Sequence, residues 1–589
     1  MTRARILLGG LCAAALSTAM AAAQPLAVVN AEIFDATGAA PYRGTLVVDN
    51  GRILAVGPKV KAPKGATIVD AKGEALIPGL FDVHTHWTPN GVPDVTPKIA
   101  DAYVAAGVTS VNDFHQQPES FAPRRAWLGT LTAPHVNFVA RISTPGGHGA
   151  DWADQATTRW VDTPEGARAA VEAIAAYKPD AIKAFTDGWR YGSAPDNTTM
   201  DAWTLKALTE TAHKYGLKVL THTVTVEQGK VAASSGVDVI AHSLQDAPLD
   251  ADTIASIKAS GLFYAPTLAV YEPVKPGAKP PADPDSPRAR QSRLKFGYAL
   301  SNAKALFDAG VPLALGTDAG MTGTPHGSST LRELELLVQA GLTPTQALII
   351  GAAGSARAMN QLADRGTLEA GKRADFVLVA GKPWETISDI RKVERVFIDG
   401  KLSYGPGAKR SAANDRIAPP AVKAQALVDD FERADGRTSL DTLRLDDFDG
   451  GRDRSLEVSQ VIEREAGGKV LSVGARMATK DDASAGVLLP LTRGSVVPTD
   501  ATAFKGLKLA VRGDGGAYVV SLVGATGRWT TKVEAGSQWK TVELPFTAFK
   551  PAGREKAAFT GTDLLQVGVE GERPAGAKLW FELDDVTFY

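Results

Sequence analysis

Between residues 79 and 363 the chain repeats one unit about eight times: a short apolar run closed by a polar residue, then an amphipathic helical stretch. The apolar runs read FDVHTHW, GVTSVNDFH, HVNFVARIST, DAIKAFTDG, LKVLTHTV, VDVIAHS, LFYAPTLAV and VPLALGTDAG. Stretches such as TPEGARAAVEAIAAY, TMDAWTLKALTETAHKY and STLRELELLVQA separate them. Such alternation folds into a parallel sheet covered by helices, either a closed (β/α)8 TIM barrel or an open doubly wound sheet. The barrel is expected here, because closure brings the polar carboxyl ends of all the strands to one rim.

The flanks differ. AVVNAEIFDA, GTLVVDNGRILAVG and ATIVDAKGEALIPG precede the repeats, and ADFVLVAGK and RVFIDGKL follow them. These β-rich segments, with turn residues such as Asn50-Gly51, predict one small β-sandwich assembled from residues 24–78 and 364–405. Residues 406–424 are proline- and charge-rich and read as an interdomain linker. From 425 to 589 the helical period stops, and AYVVSLVG, KTVELPF and LWFELDDVTFY alternate as strands of a separate all-β sandwich. Its Trp529, Trp539 and Trp580 are read as core residues in preference to a sugar-binding platform. VKPGAKPPADPDSPR, after the seventh strand, is read as a lid or an exposed loop on the rim.

The first residues have the layout of a signal peptide: Arg3 and Arg5, a short apolar stretch, then Ala21-Ala22-Ala23. Cleavage after Ala23 is expected to deliver the chain to the periplasm or the medium, with no transmembrane segment left in the mature protein. The single cysteine, Cys12, lies in the segment removed, which excludes disulfides, thiolate ligands and a cysteine nucleophile. A formal net charge of -1 gives no reason to expect nucleic acid as a partner.

His84 and His86 end the first strand two residues apart, so both imidazoles project to the same side. Lys183, His222, His242 and Asp318 each end a later strand, and together they read as a two-metal hydrolase site. Lys183 sits within the apolar run AIKAF, where an unpaired ammonium would be costly. It could pair with Asp113 or Asp318, or react as the neutral amine with carbon dioxide to give a bridging carbamate. His213, within a helical run, and His135, at a strand start, are read as structural or surface residues.

These motifs carry a resemblance. PGLFDVHTH, IKAFTDG, THT, IAHS, GTDAG, AGLTPTQALIIGAAGSARAM and GTLEAGKRADFVL are similar to those of the metal-dependent amidohydrolase superfamily, in its imidazolonepropionase-like and prolidase-like branch. The likeness spans roughly Leu26 to Leu402, while the tail resembles jelly-roll domains of the carbohydrate-binding or complex-I-assembly-factor type. The resemblance implies two divalent ions, zinc being expected: His84, His86 and Asp318 hold the first, His222 and His242 the second, and carboxylated Lys183 bridges them. It further implies a bridging hydroxide as nucleophile, Asp318 as proton shuttle, and His148 of STPGGHGADW as donor to the developing oxyanion.

Some dipeptide-cleaving relatives place a carboxylate-binding tyrosine two residues after the fifth-strand histidine, where this chain has Val224. His115, Arg190, Tyr191 and His326 are the candidates to replace it. The expected activity is hydrolysis of a small-molecule amide, of dipeptide or N-acyl amino acid type. The alternatives are the same metals acting on an ester, lactone or phosphotriester, and a non-catalytic binding protein using the C-terminal sandwich. Homo-oligomerisation and glycan contact by that sandwich are both compatible with the sequence.

Overall fold

The computed structural model describes residues 24–87, 94–150, 153–186, 197–450, 453–464, 467–553 and 556–589. The signal-peptide reading, with Cys12, and the candidates Arg190 and Tyr191 lie outside the described residues.

Seven parallel strands follow one another around the centre: β1 (Leu80–Thr85), β2 (Val108–Asp113), β3 (His135–Ser143), β4 (Ala181–Phe185), β5 (Lys218–His222), β6 (Val239–Ala241) and β7 (Phe263–Ala265). The eighth apolar run, VPLALGTDAG, closes the ring with single bridges, Tyr264 to Leu313 and Thr85 to Ala319. The result is a nearly closed eight-stranded TIM-type barrel. Strand residues are buried on both faces, as continuous apolar runs require in a parallel sheet. The helices between them start at polar caps: Thr163, Asp201, Thr225 and Asp250 each accept a backbone N–H of the first turn.

The two β-rich flanks form one eight-stranded sheet, joined where Ala75–Pro78 pairs antiparallel with Phe376–Val379. The tail forms an eight-stranded and a six-stranded sheet around one apolar core, which includes Val520, Phe581 and Leu583. Trp529 belongs to that core and donates its indole N–H to the Ala557 carbonyl at 2.7 Å. Trp539 lies between the guanidinium groups of Arg464 and Arg512, and Trp580 is 38% exposed.

The sandwich is fastened to the rim of the barrel. Glu119, six residues beyond the end of β2, is buried; its carboxylate pairs with Arg437 and accepts the Leu443 N–H at 2.8 Å. Arg454 lies over the Trp160 ring and donates to the Ala153 carbonyl at 3.1 Å. Within the 406–424 segment, Asn414 is buried and exchanges hydrogen bonds with the Thr132 backbone, while Arg410 pairs with Asp101. The proline-rich stretch after β7 is exposed apart from Ser286 and Lys275, the latter donating to the Ala269 and Val270 carbonyls and to Thr324 Oγ1.

Candidate metal centre

Strand β1 delivers His84 and His86 to the rim, and two glycines let the eighth run pass close enough to meet them. A Cβ on Gly316 would lie 2.9 Å from the His84 Cβ, and one on Gly320 would lie 2.2 Å from the His86 carbonyl oxygen. Between these glycines Asp318 adopts φ 60°, an uncommon conformation for a side chain with a Cβ, and its N–H donates to the His84 carbonyl at 2.8 Å. Its Oδ1 therefore lies 2.9 Å from His86 Nε2 and 3.4 Å from His84 Nε2. These three ligand atoms all fall within 4.8 Å of one another, and all three residues are buried.

Beneath them Asp82 is fully buried. It accepts from Thr317 Oγ1 at 2.7 Å, Thr330 Oγ1 at 2.8 Å, and the backbone N–H groups of Thr317 and His84. Burial pushes its carboxyl up to about 7 against those four hydrogen bonds. Asp82 thus ties the eighth run to β1 from below.

Lys183, on β4, is 1% exposed; its Nζ lies 3.2 Å from His84 Nε2 and 4.8 Å from the centre of the Phe114 ring. Of the two carboxylates weighed as its partner, Asp113 uses Oδ1 to accept the N–H groups of Trp87 and His115. Asp318 faces His84 and His86.

His222 ends β5 with its ring 4.3 Å from that of His242, and the His242 ring lies 4.5 Å from that of His84. His148 stacks on His222 with 4.1 Å between ring centres. His115 places Nδ1 3.1 Å from His86 Nδ1. The structure therefore gathers His84, His86, His115, His148, Lys183, His222, His242 and Asp318 on one rim.

His326 stands apart, its Nδ1 3.0 Å from the Tyr103 hydroxyl and its ring against Trp87. His135 is at the opposite end of β3, 3.0 Å from Asp375, near Asp399, which Arg373 already holds at 2.7 Å.

Burial drives the electrostatics. It holds the His84 imidazole well below its ordinary value, with the Lys183 charge acting in the same sense. His242 is likewise lowered by burial and by His222. Burial alone would raise Asp318, but the hydrogen bond and charge of His86, with Lys183 and His222, outweigh it and hold the carboxyl below its usual range. Imidazoles that burial disfavours from protonation, His84 and His242, beside a carboxylate held ionised suit a divalent cation, so these residues fit the metal that the sequence leads one to expect.

Several contributors carry no motif. His242 has φ 82°, and its Nδ1 lies 2.9 Å from Thr267 Oγ1; Thr267 is itself at φ 47°. Glu333, fully buried in the helix Ser328–Gln339, accepts the N–H groups of Leu268 and Ala269 and so fixes the turn that presents Thr267. Three non-glycine residues at positive φ around one site, His242, Thr267 and Asp318, mark backbone strain held in place by surrounding hydrogen bonds. Replacing Thr267 by Val keeps the shape and removes the hydroxyl partner of a buried ring nitrogen. This should cost about 1–3 kcal/mol of stability, read as a lowered midpoint in denaturant unfolding, whereas Thr267→Ser should retain most of it.

Arg141, paired in register with Lys183, is also buried. Burial pushes its guanidinium down to about 9 against the pull of Asp154 and Asp113. A charged residue inside the apolar run VARIS was the sequence signal for it.

Comparison with known proteins agrees with this fold. Residues 75–403 match the family described as Amidohydrolase family, and residues 475–568 match the one described as Complex I intermediate-associated protein 30. The imidazolonepropionase of Deinococcus radiodurans is 26% identical over 387 residues, which cover 58% of this chain and 87% of that protein. Among solved structures, a Xaa-Pro dipeptidase with bound methionine superposes with a TM-score of 0.57 at 23% identity, covering 65% of this chain and 100% of its own. The ochratoxinase of A. niger does so with a TM-score of 0.56 at 22% identity, covering 65% and 97%.

Proposed function

Because this chain belongs to the amidohydrolase family and is a metal-dependent hydrolase acting on carbon–nitrogen bonds, we propose that it works with two cations and cleaves the amide of a dipeptide or N-acyl amino acid after export. His84, His86 and Asp318 would hold one cation and His222 and His242 the other, with carboxylated Lys183 between them. Zinc suits these imidazole and carboxylate ligands. The observation that carries the reading is the placement of Lys183 Nζ 3.2 Å from His84 Nε2, inside a ring of histidines that ends in Asp318. An ammonium there opposes a cation. Reaction of the neutral amine with carbon dioxide forms an N–C bond, releases a proton and leaves an anion that attracts one.

Bound cations would acidify water and polarise the scissile carbonyl. The protein's own residues do the rest. Asp318, ionised and close to His86, accepts the nucleophile's proton and returns it to the leaving nitrogen. His148, stacked on His222, donates to the oxygen that gains charge. His115 and Thr267 hold the rings of His86 and His242 in place through their second nitrogens. Export is supported by the charged, apolar and alanine-rich order of the first residues; among the described residues no helix is long and apolar enough to cross a membrane.

The test is metal content per chain in the purified protein, with crystallographic density at Lys183 and a panel of dipeptides, N-acyl amino acids and esters. Close to two metals, a carbamate on Lys183 and amide turnover are expected. One metal with unmodified lysine would replace the two-cation reading by a single-cation one. Turnover of esters alone would replace the amide.

A further inference from the structure

Beside His86 the rim opens into a cavity of about 560 Å³, a volume in the range of small-molecule pockets. Its walls include Val95, Ile99, Met321, Pro325 and His326. No lysine, arginine, aspartate or glutamate is among its described lining residues. The ionic groups nearby are engaged elsewhere. Asp94 pairs with Arg124 at 2.9 Å. Lys275, behind Gly323, gives its three hydrogens to the Ala269 and Val270 carbonyls and to Thr324 Oγ1, which exhausts an ammonium's donors.

His326, Thr324 and His86 are the polar side chains of this wall. The Nδ1 of His326 is tied to the Tyr103 hydroxyl at 3.0 Å, and its ring packs edge-on against Trp87 and Tyr103. Burial, with the charge of His86, pushes it down to about 4, so at neutral pH it is an uncharged hydrogen-bonding group.

We propose that this cavity selects the substrate, receiving an uncharged apolar side group of aliphatic or aromatic type, with His326 as a specificity-determining residue beside the hydrogen-bonding side chains of Thr324 and His86. The proposal rests on the reading above, that the bond is cleaved at His86 and Asp318. It narrows the substrate to amides whose residue on this side is of the leucine or phenylalanine class, not the aspartate or lysine class. Burying such a group releases ordered water from the walls, whereas a charged group would lose its hydration and find no partner there.

Calorimetry of the metal-loaded full chain with N-acetyl-L-phenylalanine and with N-acetyl-L-aspartate tests it, chromatography of each mixture reporting any cleavage. The phenylalanine compound should bind at least about tenfold more tightly. Val95→Lys, at a position already 38% exposed, should narrow or reverse that ratio, as should Met321→Lys, with metal content unchanged in both. Equal binding, tighter binding of the aspartate compound, binding of neither, or lysine variants with the ratio intact would each overturn the proposal. Wild-type protein that holds no metal fails the preceding reading instead, and the stoichiometry measured beforehand tells the two failures apart.

Discussion

Asp318→Asn is expected to lower kcat by about a hundredfold to ten-thousandfold, the span typical of losing a positioned general acid–base group. The substitution keeps size and shape, and the backbone bond from residue 318 to the His84 carbonyl does not involve the side chain. The φ of 60° is also tolerable, since Asn is among the side chains that accept it most readily. What disappears is the negative charge 2.9 Å from His86 Nε2, and with it both a ligand and the place where a proton can rest. The fold should survive, with circular dichroism and urea midpoint close to wild type, while turnover of the best panel amide collapses. A variant that turns over at the wild-type rate would contradict the proton-shuttle role outright.

Lys183→Met is the second large effect, read in stability and in metal binding. Lys183 is enclosed on β4 among apolar residues, close to Phe114 and Phe185. Its charge helps to hold Asp318 ionised, and removing one partner from interacting buried charges typically destabilises by about 3–5 kcal/mol. The metal-free variant should therefore unfold at a lower urea concentration than the metal-free wild type. The loaded variant should bind fewer than two metals per chain and lose most activity, because nothing remains that can become an anion between the two groups of histidines. If added formate or acetate restored part of the activity, a free carboxylate would be standing in for the carbamate. Full metal content and activity in Lys183→Met would remove the bridging role.

Much of this protein was legible in its sequence because barrel geometry is local in origin. Apolar runs that carry His84, Lys183, His222 and His242 announce strands buried on both faces, and ring closure then sends their carboxyl ends to one rim. The eighth run was harder to read. VPLALGTDAG has the composition of a strand, yet it joins its neighbours through single bridges, because Gly316 and Gly320 let it press against His84 and His86 and turn at Asp318. The candidates offered for substrate recognition were the least legible. His115 lies against His86, and His326 belongs to an apolar wall 223 residues away in sequence from the tyrosine that holds it.

By itself the sequence determined the alternation of strand and helix, the β-rich flanks and tail, and the residue types delivered to the rim, since each depends on patterning over a few neighbouring positions. The tertiary structure decided the rest: that Asp82 locks the eighth run beneath His84, that Glu333 holds the turn presenting Thr267 to His242, that Glu119 anchors the C-terminal sandwich through Arg437, and that a cavity with no ionic side chain among its described lining residues opens beside His86. Each of these joins residues on separate elements. The free energy that fixes them comes from burial and from hydrogen bonds satisfied across loops, terms that exist only once the barrel has closed and that no local pattern encodes.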